Sequence, residues 1–371
     1  MSRSGDQRKV RYAVVGAGNL AQVAILPAFE NATENSELVA LITGDEDKRE
    51  ALGARHGIEL IGDYEDYETI LESGEVDAVY IALPNNLHRE YTERAARSGV
   101  HVLCEKPMAI GVEDCEAMIK ATEAAKVRLM IAYRLHFEEA NLRAVAIAQS
   151  GEIGEVRVFS SVFTQQVRAD DIRTHSELGG GVLYDMGPYC VNAARTLFRA
   201  EPEEVYAYAL KGRDERSRDV DETTMAVMRF PGDRIAQFVV SQGLAGTSAY
   251  RIVGTKGDLR VEPAYGYTEA LVHHLTVGDE STETSFERRD QFGPQIVYFS
   301  QCILEGKEPE PSGHEGLADV RVFEAILRSA ETGRPVKLPP FERSQRPSMV
   351  QEIHKPAIEP PEPVKAPSPS M

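Results

Sequence analysis

The chain is 371 residues long, 42% hydrophobic and 27% charged, which suits about two globular domains with sizeable cores. Its net charge of −18 argues against sequence-independent nucleic-acid binding and against attachment to an anionic membrane. The polar opening MSRSGDQRKV has no apolar run behind it, and no stretch approaches the ~18 uninterrupted apolar residues of a membrane span, so a cytoplasmic protein is expected.

Residues 8–133 alternate short β-branched runs with helical patterns. Strands are predicted at VRYAVV (10–15), ELVALIT (37–43), DAVYIAL (77–83), VHVLCE (100–105) and VRLMIAY (127–133). Between them apolar residues recur at helical spacing, as in Leu87, Tyr91 and Ala95, with Asn85 and Asn86 available as caps. This alternation predicts right-handed βαβ units and a doubly wound parallel sheet, α/β in class. Its ligand site should lie beyond the carboxyl ends of the strands.

Directly after the first strand stands VVGAGNLA. Gly16 permits a tight turn, Gly18 lets the backbone approach a pyrophosphate, and Ala21 allows close helix–strand packing; Asn19 and Leu20 complete the loop. A GxGxxA in this context predicts a dinucleotide site. The tip of the second strand carries Thr43 and Gly44, followed by DEDKR. Thr43 can donate to a ribose 2′-phosphate, Gly44 leaves room, and Lys48 or Arg49 can reach back, so NADP(H) is preferred. NAD(H) is the alternative, because Asp45 could bind the ribose hydroxyl instead; its other reading is a helix N-cap.

From residue 134 the rhythm changes. A helix near 136–149 leads into EVRVFSSVFTQQV, and GGGVLYDMGPY (179–189) then starts a helix with Gly187 and Pro188 inside it. Proline in a helix interior costs roughly 3 kcal/mol, so the flaw suggests a kinked helix presenting Asp185 and Tyr189, spaced i,i+4, on one face, with Asn192 a turn further. A succession of strands follows to about residue 277, with turns such as PGD and TKGD, predicting a mainly antiparallel sheet. Helices near 293–305 and 315–331 are expected to close this second domain (134–338), with Gly333 as a C-cap. Residues 339–371 are proline-rich and lack apolar periodicity, and an extended or disordered tail is expected. The cysteines (104, 115, 190 and 302) show no CxxC spacing, which argues against a disulfide scaffold and a metal site.

At the end of a strand stands CEKP, with Glu105 and Lys106 aimed at the crevice. Together with GAGNLA, PNNLH (84–88) and GGG…D.G.Y (179–189), it makes the chain resemble the Gfo/Idh/MocA oxidoreductases over about residues 9–338. The resemblance implies a Rossmann domain carrying NAD(P), and an α+β domain with an open sheet supplying the substrate side and contacts of a homodimer or homotetramer. It implies that Lys106 touches substrate and nicotinamide, that Asp185 positions the reacting hydroxyl, and that Tyr189 transfers the proton. Pro84, Asn85, His88, Glu105 and Arg134 match cofactor-side positions, and Tyr133 lies near the nicotinamide. Asn192 and Arg173 are weaker substrate candidates. Tyrosine at 189, where many members have histidine, points to the branch resembling glucose–fructose oxidoreductase, hence an NADP-dependent sugar or polyol oxidoreductase. The alternatives are a trans-dihydrodiol dehydrogenase and a non-catalytic NADP-sensing regulator. With fewer than ten residues before the first strand, no N-terminal arm is available to clamp the cofactor, so a dehydrogenase that exchanges NADP is expected.

Overall fold

The computed structural model describes residues 8–212, 219–343 and 345–370. Six strands form the first sheet: β1 (Val10–Val15), β2 (Ser36–Ile42), β3 (Leu60–Gly62), β4 (Ala78–Ile81), β5 (His101–Cys104) and β6 (Leu129–Ile131). Their order is β3-β2-β1-β4-β5-β6, every pair parallel. The strand order therefore reverses between β1 and β4, the position where doubly wound sheets bind ligands. Helices α1 (Leu26–Ala28), α2 (Glu46–His56), α3 (Tyr67–Leu71), α4 (His88–Arg97) and α5 (Val112–Ala125) make the crossovers. β4 is buried along its length and β1 at every residue but Arg11, which is why they read as near-continuous apolar runs.

After α6 (Glu139–Ser150) come β7 (Val156–Gln166), α7 (Val182–Asp185) and α8 (Gly187–Phe198). The second sheet then continues with β8 (Glu204–Leu210), β9 (Thr223–Phe230), β10 (Arg234–Ser241), β11 (Gly243–Gly254), β12 (Gly257–Val261), β13 (Val272–Val277) and β14 (Glu280–Ser285). Beyond α9 (Gly293–Glu305) and α10 (Gly313–Thr332), β15 (Val336–Lys337) adds an edge. The order is β14-β13-β12-β11-β7-β10-β9-β8-β15; only β7 and β10 run parallel. Both expected sheets are present. Helices α8 and α10 cover one face, while Val158, Val162, Met225 and Ile235 are exposed on the other.

Three features depart from expectation. Helix α9, expected to close the second domain, packs on β1 and β2, where the Tyr12 hydroxyl meets Ser300 Oγ at 2.8 Å. The proline is not inside a helix: α7 stops at Asp185, Met186 turns the chain (φ −103°, ψ −28°), and Pro188 lies in the first turn of α8. There its missing N–H has no partner to lose. Residues 345–370 are extended apart from one helical turn at Met349–Gln351, but they are hydrogen-bonded to the body rather than free of it. Gly333 does cap α10, at φ +63°. No helix among the described residues is long and apolar enough to cross a membrane.

Candidate active site

The crevice begins at the glycine loop. Gly16 has φ +95°, and a Cβ there would lie 2.4 Å from the Ala82 carbonyl oxygen, so the turn after β1 requires glycine. Gly18 is exposed and a Cβ on it would meet nothing within 4 Å, leaving room beside the loop for a phosphate group. Ala21 is buried against the sheet. These residues fit a bound dinucleotide. At the tip of β2, Thr43 is buried, and Arg49 Nη1 donates to its carbonyl at 2.8 Å. Asp45 is the N-cap of α2, accepting from the Lys48 backbone N–H at 3.1 Å. Gly44 faces the Tyr64 ring. Asn19 donates to the Ala366 carbonyl at 2.8 Å, while Leu20 is half-buried beside it.

Next to it, the loops after β4 and β5 are braced internally. Pro84 starts the turn leading to α4. Asn85 Nδ2 donates to the Gly179 carbonyl (2.8 Å), and the buried His88 ring lies between the carbonyls of Leu83 (3.0 Å) and Pro107 (2.9 Å). Burial lowers the His88 pKa. The Asn85 Nδ2 and both His88 ring nitrogens are thus engaged with the protein, and these residues hold the crevice wall. Glu105 accepts from the Tyr80 hydroxyl (2.7 Å) and the Lys106 N–H (3.2 Å); burial pushes its carboxyl up.

Three cations and one phenol converge where the two domains meet. Lys106 Nζ lies 4.6 Å from the Tyr189 ring centroid and donates to the Asp185 backbone carbonyl at 3.0 Å. Arg134 Nη2 donates to the Tyr189 hydroxyl at 3.1 Å. Arg134 is itself fixed by Gln291 and by the Tyr265 carbonyl, and its guanidinium is caged by the rings of Tyr189, Tyr267 and Phe292. Burial pushes the Tyr189 phenol up, but the charges of Arg134 and Lys106, with the Arg134 hydrogen bond, outweigh it and leave the pKa below the ordinary tyrosine value. The Asp185 carboxylate is ion-paired with Arg173 Nε at 3.0 Å, and Gln165 Nε2 lies 3.5 Å away. Burial raises its pKa, yet the charges of Arg173 and Lys106 leave it below the usual carboxylate range.

Several expected roles change with this geometry. Asp185 and Tyr189 reach one site from two helices rather than one helical face. Asp185 offers Lys106 its carbonyl, while its carboxylate faces Arg173. Arg134 contacts the phenol directly, a role that its motif did not signal. The hydroxyl of Tyr133 donates to Asp319 Oδ2 (2.7 Å), and its ring stacks on His136. Asn192 bonds His136 Nε2 (2.7 Å) and Glu315 (2.9 Å). Both side chains line the cavity beside Lys106 and Tyr189, but their polar atoms are committed to a buried network centred on Arg195. Gln291, Tyr265, Tyr267 and Phe292 escaped sequence reasoning because they lie 131 or more residues downstream of Arg134, which they fix. Among the described residues no group of His, Cys, Asp and Glu could hold a metal ion.

Two profiles of one family match the chain. The Gfo/Idh/MocA profile described as an oxidoreductase family with an NAD-binding Rossmann fold matches residues 10–133, and the family's C-terminal domain profile matches 141–260. The chain is 35% identical to an uncharacterized oxidoreductase of Rhizobium meliloti, covering 87% of this chain and 98% of that one. It is 32% identical to D-xylose 1-dehydrogenase [NADP(+)] of Haloarcula marismortui, covering 91% and 95%. Among solved structures, the aldose–aldose oxidoreductase from Caulobacter crescentus complexed with glycerol superposes with a TM-score of 0.85 at 38% identity, covering 89% of this chain and all of that one. A 3-ketoreductase from Actinomadura kijaniata in complex with NADP and TDP-benzene gives 0.80 at 29% identity, covering 87% and 98%. The protein belongs to the Gfo/Idh/MocA oxidoreductase family.

Proposed function

We propose that this protein is an NADP-dependent oxidoreductase of sugars or polyols, of the aldose dehydrogenase type. The observation that carries the reading is the Tyr189 hydroxyl, fixed by Arg134 and flanked by Lys106 at the mouth of an open dinucleotide seat. The nicotinamide, when bound, accepts or supplies the hydride. Tyr189 takes the hydroxyl proton from the substrate during oxidation and returns it during reduction. A free tyrosine, with pKa near 10, is a poor base at neutral pH; the two neighbouring cations favour the phenolate. Lys106 is held over the ring by the Asp185 carbonyl, which leaves its remaining N–H groups to bind a substrate oxygen. Asp185, fixed by Arg173, orients a further sugar hydroxyl.

The D-xylose 1-dehydrogenase [NADP(+)] and the aldose–aldose oxidoreductase support a sugar substrate. That dehydrogenase and the NADP-bound ketoreductase support NADP, as do Thr43, Gly44 and Arg49 at the tip of β2. Asp45, engaged as an N-cap, is drawn away from the ribose-binding role that would favour NAD. The exposed apolar face of the second sheet supports a homodimer or homotetramer. The four buried, unpaired thiols suit the cytoplasm.

A panel of aldoses, polyols and aromatic dihydrodiols, followed by NADPH absorbance, tests this. Turnover with an aldose or polyol is expected. Turnover of dihydrodiols alone, or cofactor binding without any turnover, would overturn it.

A further inference from the structure

The segment expected to hang free of the protein crosses the dinucleotide crevice. It is anchored upstream by Arg343 on Glu315 (2.9 Å), Arg346 on Glu201 (2.6 Å) and the Pro356 carbonyl on Asn31 (2.8 Å). It then meets the glycine loop and the helical turn that follows it, Ala21–Ile25. The buried Gln22 amide donates to the Val364 carbonyl (3.0 Å) and accepts from the Val364 N–H (2.7 Å), and Asn19 holds the Ala366 carbonyl. Between them Lys365, at φ +46°, where non-glycine residues are uncommon, brings its ammonium onto Asp47 and within 3.7 Å of Asp45. The chain ends its crossing on the other domain. The Pro369 carbonyl accepts from the Arg168 N–H at 2.9 Å, and the Ser370 hydroxyl donates to Gln165 Oε1 at 3.0 Å. That same Gln165 side chain faces the Asp185 carboxylate. The segment therefore runs from the tip of β2 to the catalytic end of the crevice, and the six residues 365–370 span at most about 20–22 Å when extended.

Two readings compete: a lid over the cofactor, or a plug in its place. The glycine loop decides between them. Gly18 is exposed, with nothing within 4 Å of a Cβ built on it, so the segment bonds Asn19 and Gln22 while leaving the phosphate seat open. Charge points the same way. Asp45 and Asp47 place two carboxylates beside the β2 tip, which would repel a 2′-phosphate but tolerate a plain ribose hydroxyl. Lys365 pairs with both.

We propose that residues 364–370 are a strap that closes over bound NADP, and that Lys365 supplies the charge by which the acidic rim of α2 accepts the 2′-phosphate. The proposal rests on the NADP reading above. The strap opposes the expectation of a freely exchanging cofactor, because it must lift before the dinucleotide leaves.

The test compares the full chain, a chain ending at Pro361, and full-length Lys365→Ala. The shortened chain keeps the anchors at Arg343, Arg346 and Pro356. NADPH release is followed by its fluorescence after mixing with excess NADP+, and dissociation constants for NADPH and NADH by titration. Release is expected to be about tenfold or more faster without the strap, since altered binding within one site appears chiefly in the off-rate. Lys365→Ala should weaken NADPH about three- to tenfold, the range of a partly screened ion contact, and leave NADH nearly unchanged. Equal release rates, or tighter NADPH binding by the shortened chain, would overturn the strap. Equal weakening of NADPH and NADH in Lys365→Ala would overturn its charge role, since a structural lysine moves both. Failure of the full chain to bind either dinucleotide would overturn the NADP reading and the strap with it.

Discussion

Replacing Tyr189 with Phe isolates the proton-transfer step. The ring keeps its packing against Phe163 and Tyr265 and its place beneath Lys106. Arg134 keeps its bonds to Gln291 and the Tyr265 carbonyl, so the buried guanidinium is not stranded and NADPH affinity should hold. The only group removed is the hydroxyl 3.1 Å from Arg134. A positioned acid–base group contributes about 10²- to 10⁴-fold, or roughly 3–5 kcal/mol of barrier at about 1.4 kcal/mol per decade. Steady-state assays with the substrate identified by the panel should show kcat and kcat/KM falling together by that factor, because the interaction is realised in the transition state. A Tyr189→Phe enzyme within about threefold of wild type, far short of that range, would refute the assignment.

The pH dependence of oxidation should show a rising limb below the ordinary tyrosine value near 10, since Arg134 and Lys106 favour the phenolate. Lys106→Met should move that limb upward, and a limb that stays in place would contradict the electrostatic account. His136 provides a stability test. Burial lowers its pKa, but the charge and hydrogen bond of Glu310, with Glu315 and Asn192, raise it above its ordinary value. Its contribution is therefore fully present below the unfolded value near 6.5 and is lost as pH rises through the folded value. The Tm of the wild type should fall over that window relative to His136→Gln, and parallel Tm profiles would show that the pair contributes nothing. Gly16→Ala places a Cβ 2.4 Å from the Ala82 oxygen at φ +95°; chemical denaturation should show a loss of about 1–3 kcal/mol, and NADPH binding should weaken.

The parts of the fold written in local pattern were legible. The five expected parallel strands announced themselves as buried β-branched runs, and the glycine loop by its place after β1. Three strands were not legible for physical reasons. β3 and β15 are too short for an alternation to register, and β14 (ESTETS) is exposed along its length, so pairing with β13 rather than burial makes it a strand. The helix break at Met186 was misread because proline penalises a helix interior but suits a first turn, and a sequence does not say where a turn begins.

At the site, Lys106, Asp185 and Tyr189 were found by motif, but their wiring was not. Whether Lys106 takes the carboxylate or the carbonyl of Asp185 depends on a backbone turn. Tyr133 and Asn192 were drawn into a buried network by Glu315 and Asp319, more than 120 residues downstream of Asn192. The strap was least visible. Most of its hydrogen bonds to the glycine-loop region use backbone carbonyls and N–H groups of a proline-rich segment that lacks apolar periodicity, and the receiving side chains, Asn19 and Gln22, belong to a loop and first helical turn already explained by the glycine motif.

The central claim is hydride transfer between a sugar carbon and NADP. Incubating the protein with NADP+ and a panel of aldoses and polyols deuterated at every carbon, then measuring the mass of the NADPH formed, tests it directly. The account predicts reduced cofactor carrying one deuterium, formed by the wild type and lost in proportion with Tyr189→Phe. Bound NADP+ that acquires no deuterium from any aldose or polyol would contradict it.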